Sequence, residues 1–121
     1  MNAQQIVWAV TVAATMVAHA RAAQRADGVP AGNAQNGKRL FASDGCYECH
    51  GREAQGSSAT GPRLGPRPIA FAAFAKYLRQ PTGQMPPYTL KVVPDAEVAN
   101  IYAFLQSLPQ PRALASIPTL K

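Results

Sequence analysis

Acidic side chains are scarce in this chain: six Asp and Glu stand against twelve Lys and Arg in 121 residues, a formal net charge of +6. Chemistry-bearing residues are scarcer, with two cysteines, two histidines and one tryptophan in all. So small a set excludes a structural zinc site, which takes four protein ligands, because no second Cys or His pair follows the first at zinc-like spacing. The basic residues are scattered rather than clustered and no segment resembles a nucleic-acid module, so nucleic acid is set aside as a partner. Long hydrophobic runs are missing too. Ile6 to Ala18 (IVWAVTVAATMVA) has 13 residues, whereas a membrane-spanning helix needs about 20.

That run suits the apolar centre of a secretory signal peptide. Ala18-His19-Ala20 forms an A-x-A cleavage signature and Ala20-Arg21-Ala22 a second one. No Lys or Arg precedes the run, so an uncleaved N-terminal anchor, or a start site placed slightly wrong, is the competing reading. Membrane association follows only if the segment stays uncleaved. Either way the remainder crosses a membrane into an oxidising compartment, and the expected location is the periplasm. The expected organisation is a signal peptide at 1–20, with cleavage near Ala20 or Ala22, a flexible lead-in at 21–33, a single domain at 34–108 and a Pro-containing tail at 109–121.

What is present concentrates in Cys46-Tyr47-Glu48-Cys49-His50. Two thiols three positions apart, followed at once by an imidazole, have the spacing that attaches haem c. In a tight helical turn Cys46 and Cys49 lie on one side and reach the two vinyl groups of one porphyrin as thioethers, while His50 binds the iron from the proximal side. A redox dithiol uses the same C-x-x-C but does not require the adjacent histidine. Export and this motif support each other, since c-type haem is attached after export in bacteria.

Cleavage after Ala20 removes Met1, Met16, His19 and Trp8, which leaves Met85 as the one thioether and His50 as the one imidazole. Met85 lies in Gly83-Gln84-Met85-Pro86-Pro87-Tyr88, where two prolines fix φ and stiffen the loop. A Pro- and Gly-rich loop is a poor place for a core residue and a good one for a fixed sixth ligand. Core gap-filling is methionine's commonest role and stands against this reading. Lys76, Lys91 or an open sixth position are the alternatives.

Helical periodicity is legible in three segments. Ala34 to Ser43 (AQNGKRLFAS) carries Leu40 and Phe41 on one face, with Gly37 a turn before Phe41 and Asn33 as cap. Ala70 to Leu78 (AFAAFAKYL) sets Phe71, Phe74, Ala75 and Leu78 in a stripe. A third begins with Asp95 as N-cap behind Pro94, and Val98, Ile101, Tyr102, Phe104, Leu105 and Leu108 recur at helical spacing until Pro109 stops the run.

These motifs resemble, over about residues 34 to 108, a class I cytochrome c of the small bacterial, single-haem kind. The resemblance implies an all-α fold, the class I cytochrome c fold, of three to four short helices wrapped around one covalently bound haem c. It implies that the first and last helices cross at a glycine and an aromatic, here Gly37 and Phe41 against Ile101 and Phe104. Thr60-Gly61-Pro62-Arg63-Leu64 resembles the stretch in which the proline carbonyl accepts a hydrogen bond from the proximal imidazole. Carried over, Pro62 holds Nδ1–H of His50 and Leu64 packs on the haem face; a simple turn is the plainer reading of Gly61-Pro62 alone. One departure stands out: better-known members hold the haem propionates with a tryptophan and a pair of tyrosines, and the processed chain has no tryptophan. Arg63, Arg67, Tyr77 and Tyr88 are the available donors.

The implied chemistry is one-electron transfer by a six-coordinate site with metal ligands His50 and Met85, an electron carrier rather than an enzyme. The positive charge points to redox protein partners with an acidic docking patch, or serves solubility alone. Three functions compete: a free periplasmic carrier between a dehydrogenase or quinol-oxidising system and a downstream acceptor; the dedicated cytochrome subunit of a periplasmic oxidoreductase, docked on a dehydrogenase large subunit through the apolar C-terminal tail; and a haem enzyme or gas sensor with an open position. A two-haem peroxidase needs a second C-x-x-C-H, which is absent.

Overall fold

The computed structural model describes residues 28–113 and 116–118. The chain divides into two units, residues 1–31 and 32–121. Of the first, only 28–31 are described, with Gly28 at a φ of 71°; the expected signal peptide and most of the lead-in lie outside the described residues. In the second unit the described residues form four α-helices and no strand: α1 (Ala34–Ser43), α2 (Cys46–His50), α3 (Phe71–Arg79) and α4 (Asp95–Ser107). An isolated antiparallel bridge joins Ser57 and Gly61.

α1 starts where its sequence predicts. Asn33 is extended, and its side-chain oxygen accepts from the Asn36 amide at 2.8 Å, satisfying one of the amides that a helix start leaves unpaired. The Asn33 amide donates to Asn100 Oδ1 at 2.7 Å, which fastens that end of α1 to α4. A Cβ on Gly37 would meet the Asn100 carbonyl oxygen at 1.8 Å, so at this point the two helix backbones touch. One turn further on, Phe41 lies against Phe104, centroids 5.4 Å apart and planes at 57°, an arrangement favoured by the ring quadrupoles. The glycine-and-aromatic crossing that the family resemblance implies is therefore present.

α4 is the centre of the core, with Val98, Ala99 and Ile101 to Leu105 all buried. α3 leans on it through Tyr102, which takes Phe71 edge-on at 5.2 Å and Phe74 at 5.4 Å. The buried Tyr102 hydroxyl donates to the Ile69 carbonyl at 3.1 Å, so its polar tip is satisfied.

The start of α4 corrects one expectation. Pro94, not Asp95, is the N-cap, and Asp95 is the first helical residue. The Pro94 carbonyl accepts from the Glu97 and Val98 amides at 2.9 and 3.1 Å, opening the helix one residue early. The Asp95 carboxylate is thereby free to pair with the Arg79 guanidinium at 2.7 Å. Beyond α4 the chain turns back over the domain: Pro109, Gln110 and Pro111 share surface clefts with Arg63 and Gly65.

Candidate cofactor site

α2 is a single turn bracketed by two glycines. Gly45 and Gly51 both have a φ of 78°, a backbone region that L side chains rarely adopt, so the chain bends sharply on either side of the five residues between them. The Gly45 carbonyl accepts from the Glu48 amide at 3.1 Å, and the Gly51 amide donates to the Tyr47 carbonyl at 2.8 Å. Held in this turn, Cys46 and Cys49 stand three positions apart with both thiols free, Cys46 half-buried and Cys49 exposed. His50 closes the turn and is 7 % exposed, the one polar or charged residue in the core of the described chain.

The segment after α2 folds back onto that imidazole. The Gly56 amide donates to the His50 carbonyl at 2.8 Å, and the Thr60 hydroxyl to the Cys49 carbonyl at 2.7 Å. The Leu64 amide donates to the carbonyl of the fully buried Ala54 at 2.9 Å, and Leu64 is half-buried. Between these anchors the Pro62 carbonyl oxygen lies 2.8 Å from His50 Nδ1. A carbonyl only accepts, so the proton belongs on Nδ1 and the Nε2 lone pair is left free. Gly61 allows this approach: a Cβ there would stand 3.1 Å from both Cε1 and Nδ1 of the ring.

Met85 is half-buried within the loop that follows α3. That loop is pinned at Tyr88. The Tyr88 amide donates to the Leu78 carbonyl at 2.9 Å, and its carbonyl accepts from Arg79 Nη1 at 2.8 Å. Its hydroxyl donates to the Asp44 carbonyl at 3.0 Å and stands 4.0 Å from Cys46 Sγ. The methionine loop thus ends against the turn that opens α2. Sequence reasoning missed Arg79, which also reaches Asp95 with its other nitrogen; its partners lie nine and sixteen residues downstream, beyond any local pattern. Of the four candidate propionate donors, Tyr88 has its proton committed to Asp44. Tyr77 pairs with the Thr82 hydroxyl at 2.8 Å on the surface. Arg63 and Arg67 are exposed and line one cleft.

The electrostatics follow burial. Burial pushes the Cys46 thiol above its ordinary value, with a smaller upward contribution from the Asp44 carboxylate and an opposing one from the Tyr88 hydroxyl. Burial likewise raises the Tyr88 phenol from 10.0 to about 12. Tyr77 moves the other way, lowered by its bond to Thr82. Asp44 Oδ2 is buried with no hydrogen-bond partner among the described residues, beside the same turn.

Two free thiols on one turn and a buried imidazole whose Nδ1 is already occupied form a donor set that fits a covalently attached haem. Among the described residues no group of three or more His, Cys, Asp or Glu is placed to hold a metal ion by protein ligands alone. No described helix is long and apolar enough to cross a membrane. A family model described as cytochrome C oxidase, cbb3-type, subunit III matches residues 32–105, more than half of the chain. The matched span takes in α1, α2, the Pro62 segment, α3, the methionine loop and most of α4. No solved structure matches.

Proposed function

From the premise that the chain belongs to this family of cytochrome c domains, we propose that it is a periplasmic one-electron transfer protein of the small class I type. Cys46 and Cys49 would hold a single haem c, and His50 and Met85 would be the protein ligands to its iron. The family implies covalently bound haem c and haem-based electron transfer, within an all-α cytochrome c fold. The observation that carries the finer reading is His50: buried at the end of the C-x-x-C turn, with Nδ1 facing the Pro62 carbonyl and Nε2 left to bind a metal.

Bound in this site, haem c supplies an iron that takes up and returns one electron. The chain's residues do the rest. The Cys46 and Cys49 sulfurs anchor the ring as thioethers. The Pro62 carbonyl fixes the imidazole tautomer and raises the basicity of Nε2, which strengthens it as a ligand. The Met85 thioether favours the lower-charge form of the metal and so a raised reduction potential. Leu64 contributes apolar wall, which penalises the extra charge of the oxidised state. The net charge of +6 favours a partner with an acidic docking patch.

Replacing Met85 with alanine in the haem-loaded protein tests the ligand set. The expected result is a lower reduction potential and rapid carbon monoxide binding by the reduced form; an unchanged potential and spectrum count against Met85. A second reading, the cytochrome subunit of a periplasmic oxidoreductase, is favoured by the subunit named in the family description. Gentle extraction and native mass measurement separate the two. A particle near the mass of one haem-loaded chain supports the free carrier, and a much larger one with a second polypeptide supports the subunit.

A further inference from the structure

Residues 79–88 form a closed loop. Its neck is made by two hydrogen bonds: the Tyr88 amide to the Leu78 carbonyl at 2.9 Å, and Arg79 Nη1 to the Tyr88 carbonyl at 2.8 Å. Met85 lies inside it, three residues before Tyr88. The second guanidinium nitrogen of Arg79 is held by Asp95 Oδ1 at 2.7 Å, on the first residue of α4. One arginine therefore joins the end of α3, the neck of the methionine loop and the start of α4. Only a planar fork has two donors fixed at the angle this requires; an ammonium offers a point charge without that geometry.

The stabilising value of the ion pair is small, because Asp95 is 81 % exposed and water screens it. The bond to the Tyr88 carbonyl is different. Arg79 is only 21 % exposed, and a hydrogen bond from a charged donor is roughly twice as strong as a neutral one. Asp95 aims the guanidinium, and the guanidinium closes the loop.

We infer that Arg79 is a positioning residue for the sixth ligand: by gripping the Tyr88 carbonyl while anchored on Asp95, it holds closed the loop that presents Met85. This rests on Met85 being the sixth ligand. Without the grip the loop opens more often, and a small ligand gains access to the metal side that Met85 covers.

The test uses the haem-loaded full chain and its Arg79→Gln and Arg79→Lys variants, with the surface change Arg39→Gln as control. Three quantities are read: the far-red sulfur-to-iron charge-transfer absorption of the oxidised form, the rate of carbon monoxide binding to the reduced form, and the denaturation midpoint. Losing a hydrogen bond from a charged donor should accelerate carbon monoxide binding by about tenfold or more in Arg79→Gln. The same variant should show a weaker charge-transfer band, while the samples stay folded. Arg79→Lys should fall between it and the wild type, a grading that a general loss of stability does not produce. If Arg79→Gln yields no haem-loaded protein, Arg79→Lys is judged by the same criterion.

Carbon monoxide rates within twofold of wild type in a variant whose wild type shows the charge-transfer band overturn the role of Arg79 and leave Met85 ligation standing. A wild type that lacks the band and binds carbon monoxide rapidly overturns Met85 ligation, and this inference with it.

Discussion

The Pro62 carbonyl oxygen lies 2.8 Å from His50 Nδ1, and Gly61, the residue before it, has no side chain to hold the two apart. An alanine at 61 places its Cβ 3.1 Å from both Nδ1 and Cε1 of the ring, so either the ring or the loop must give by a few tenths of an ångström. The imidazole is fixed at the end of α2, whereas the segment around Gly61 is loop; the loop yields and the hydrogen bond lengthens. A weaker bond at Nδ1 makes Nε2 a poorer donor to oxidised iron. Gly61→Ala should therefore raise the reduction potential. A loss of part of a net 0.5–1.5 kcal/mol corresponds to about 20–60 mV at most for one electron. Voltammetry on the haem-loaded protein checks it, and a potential that falls contradicts the argument.

Gly37 invites a different substitution. On intrinsic propensity alone, Gly37→Ala in the middle of α1 should stabilise the helix by about 1 kcal/mol. The contact with α4 reverses the sign. The new Cβ would stand 1.8 Å from the Asn100 carbonyl oxygen and 2.9 Å from the Ile101 amide nitrogen. Both are backbone atoms of a helix, so no rotamer change relieves the clash and the helices must separate, disturbing the Phe41–Phe104 contact behind them. Forced repacking of this kind costs about 1–3 kcal/mol. A chemical denaturation curve should show net destabilisation; a midpoint at or above wild type would mean that the helices part without cost.

The helices were legible because their causes are local, and their crossing was legible through the family resemblance. Asn33 caps within three residues, apolar side chains repeat along one face, and a glycine at position 37 makes sense only if something must come close. The Pro62–His50 bond was legible only through family resemblance, since a Gly-Pro pair by itself reads as a turn. The contacts around the methionine loop were not legible. Tyr88 meets Asp44 across 44 residues, and Arg79 meets Asp95 across 16. Nothing near Tyr88 distinguishes a latch on the α2 turn from a propionate donor. Asp95 read as a helix cap because Asp before an apolar helix commonly is one. Pro94, whose carbonyl opens α4, displaced it and released the carboxylate to Arg79.

Tyr88 predicts a pH dependence. Its phenol is raised, chiefly by burial, from 10.0 to about 12 in the folded chain. Between these values the unfolded chain has lost a proton that the folded chain still keeps. Stability from this group is therefore fully present below about pH 10 and is lost as pH rises toward about 12. Denaturation midpoints measured across this window should fall more steeply for the wild type than for Tyr88→Phe, which has no phenol to ionise. Parallel curves would mean that ionisation of Tyr88 is not resisted in the folded state.

The charge imbalance makes a prediction about the sign of salt effects. Twelve basic against six acidic residues give +6 from the chain, and the two propionates of one haem reduce this without reversing it. Exposed charges attract or repel reactants over a Debye length, about 8 Å at physiological salt and about 30 Å at 0.01 M. Oxidation of the reduced protein by an anionic metal complex should therefore slow as ionic strength rises, and oxidation by a cationic complex should quicken. Stopped-flow rates with one oxidant of each sign suffice. Both trends together support a positive face at the site of electron exchange and hence an acidic partner patch. If both rates are flat with salt, the basic residues lie away from the exchange site, and docking by charge is excluded in favour of apolar contact.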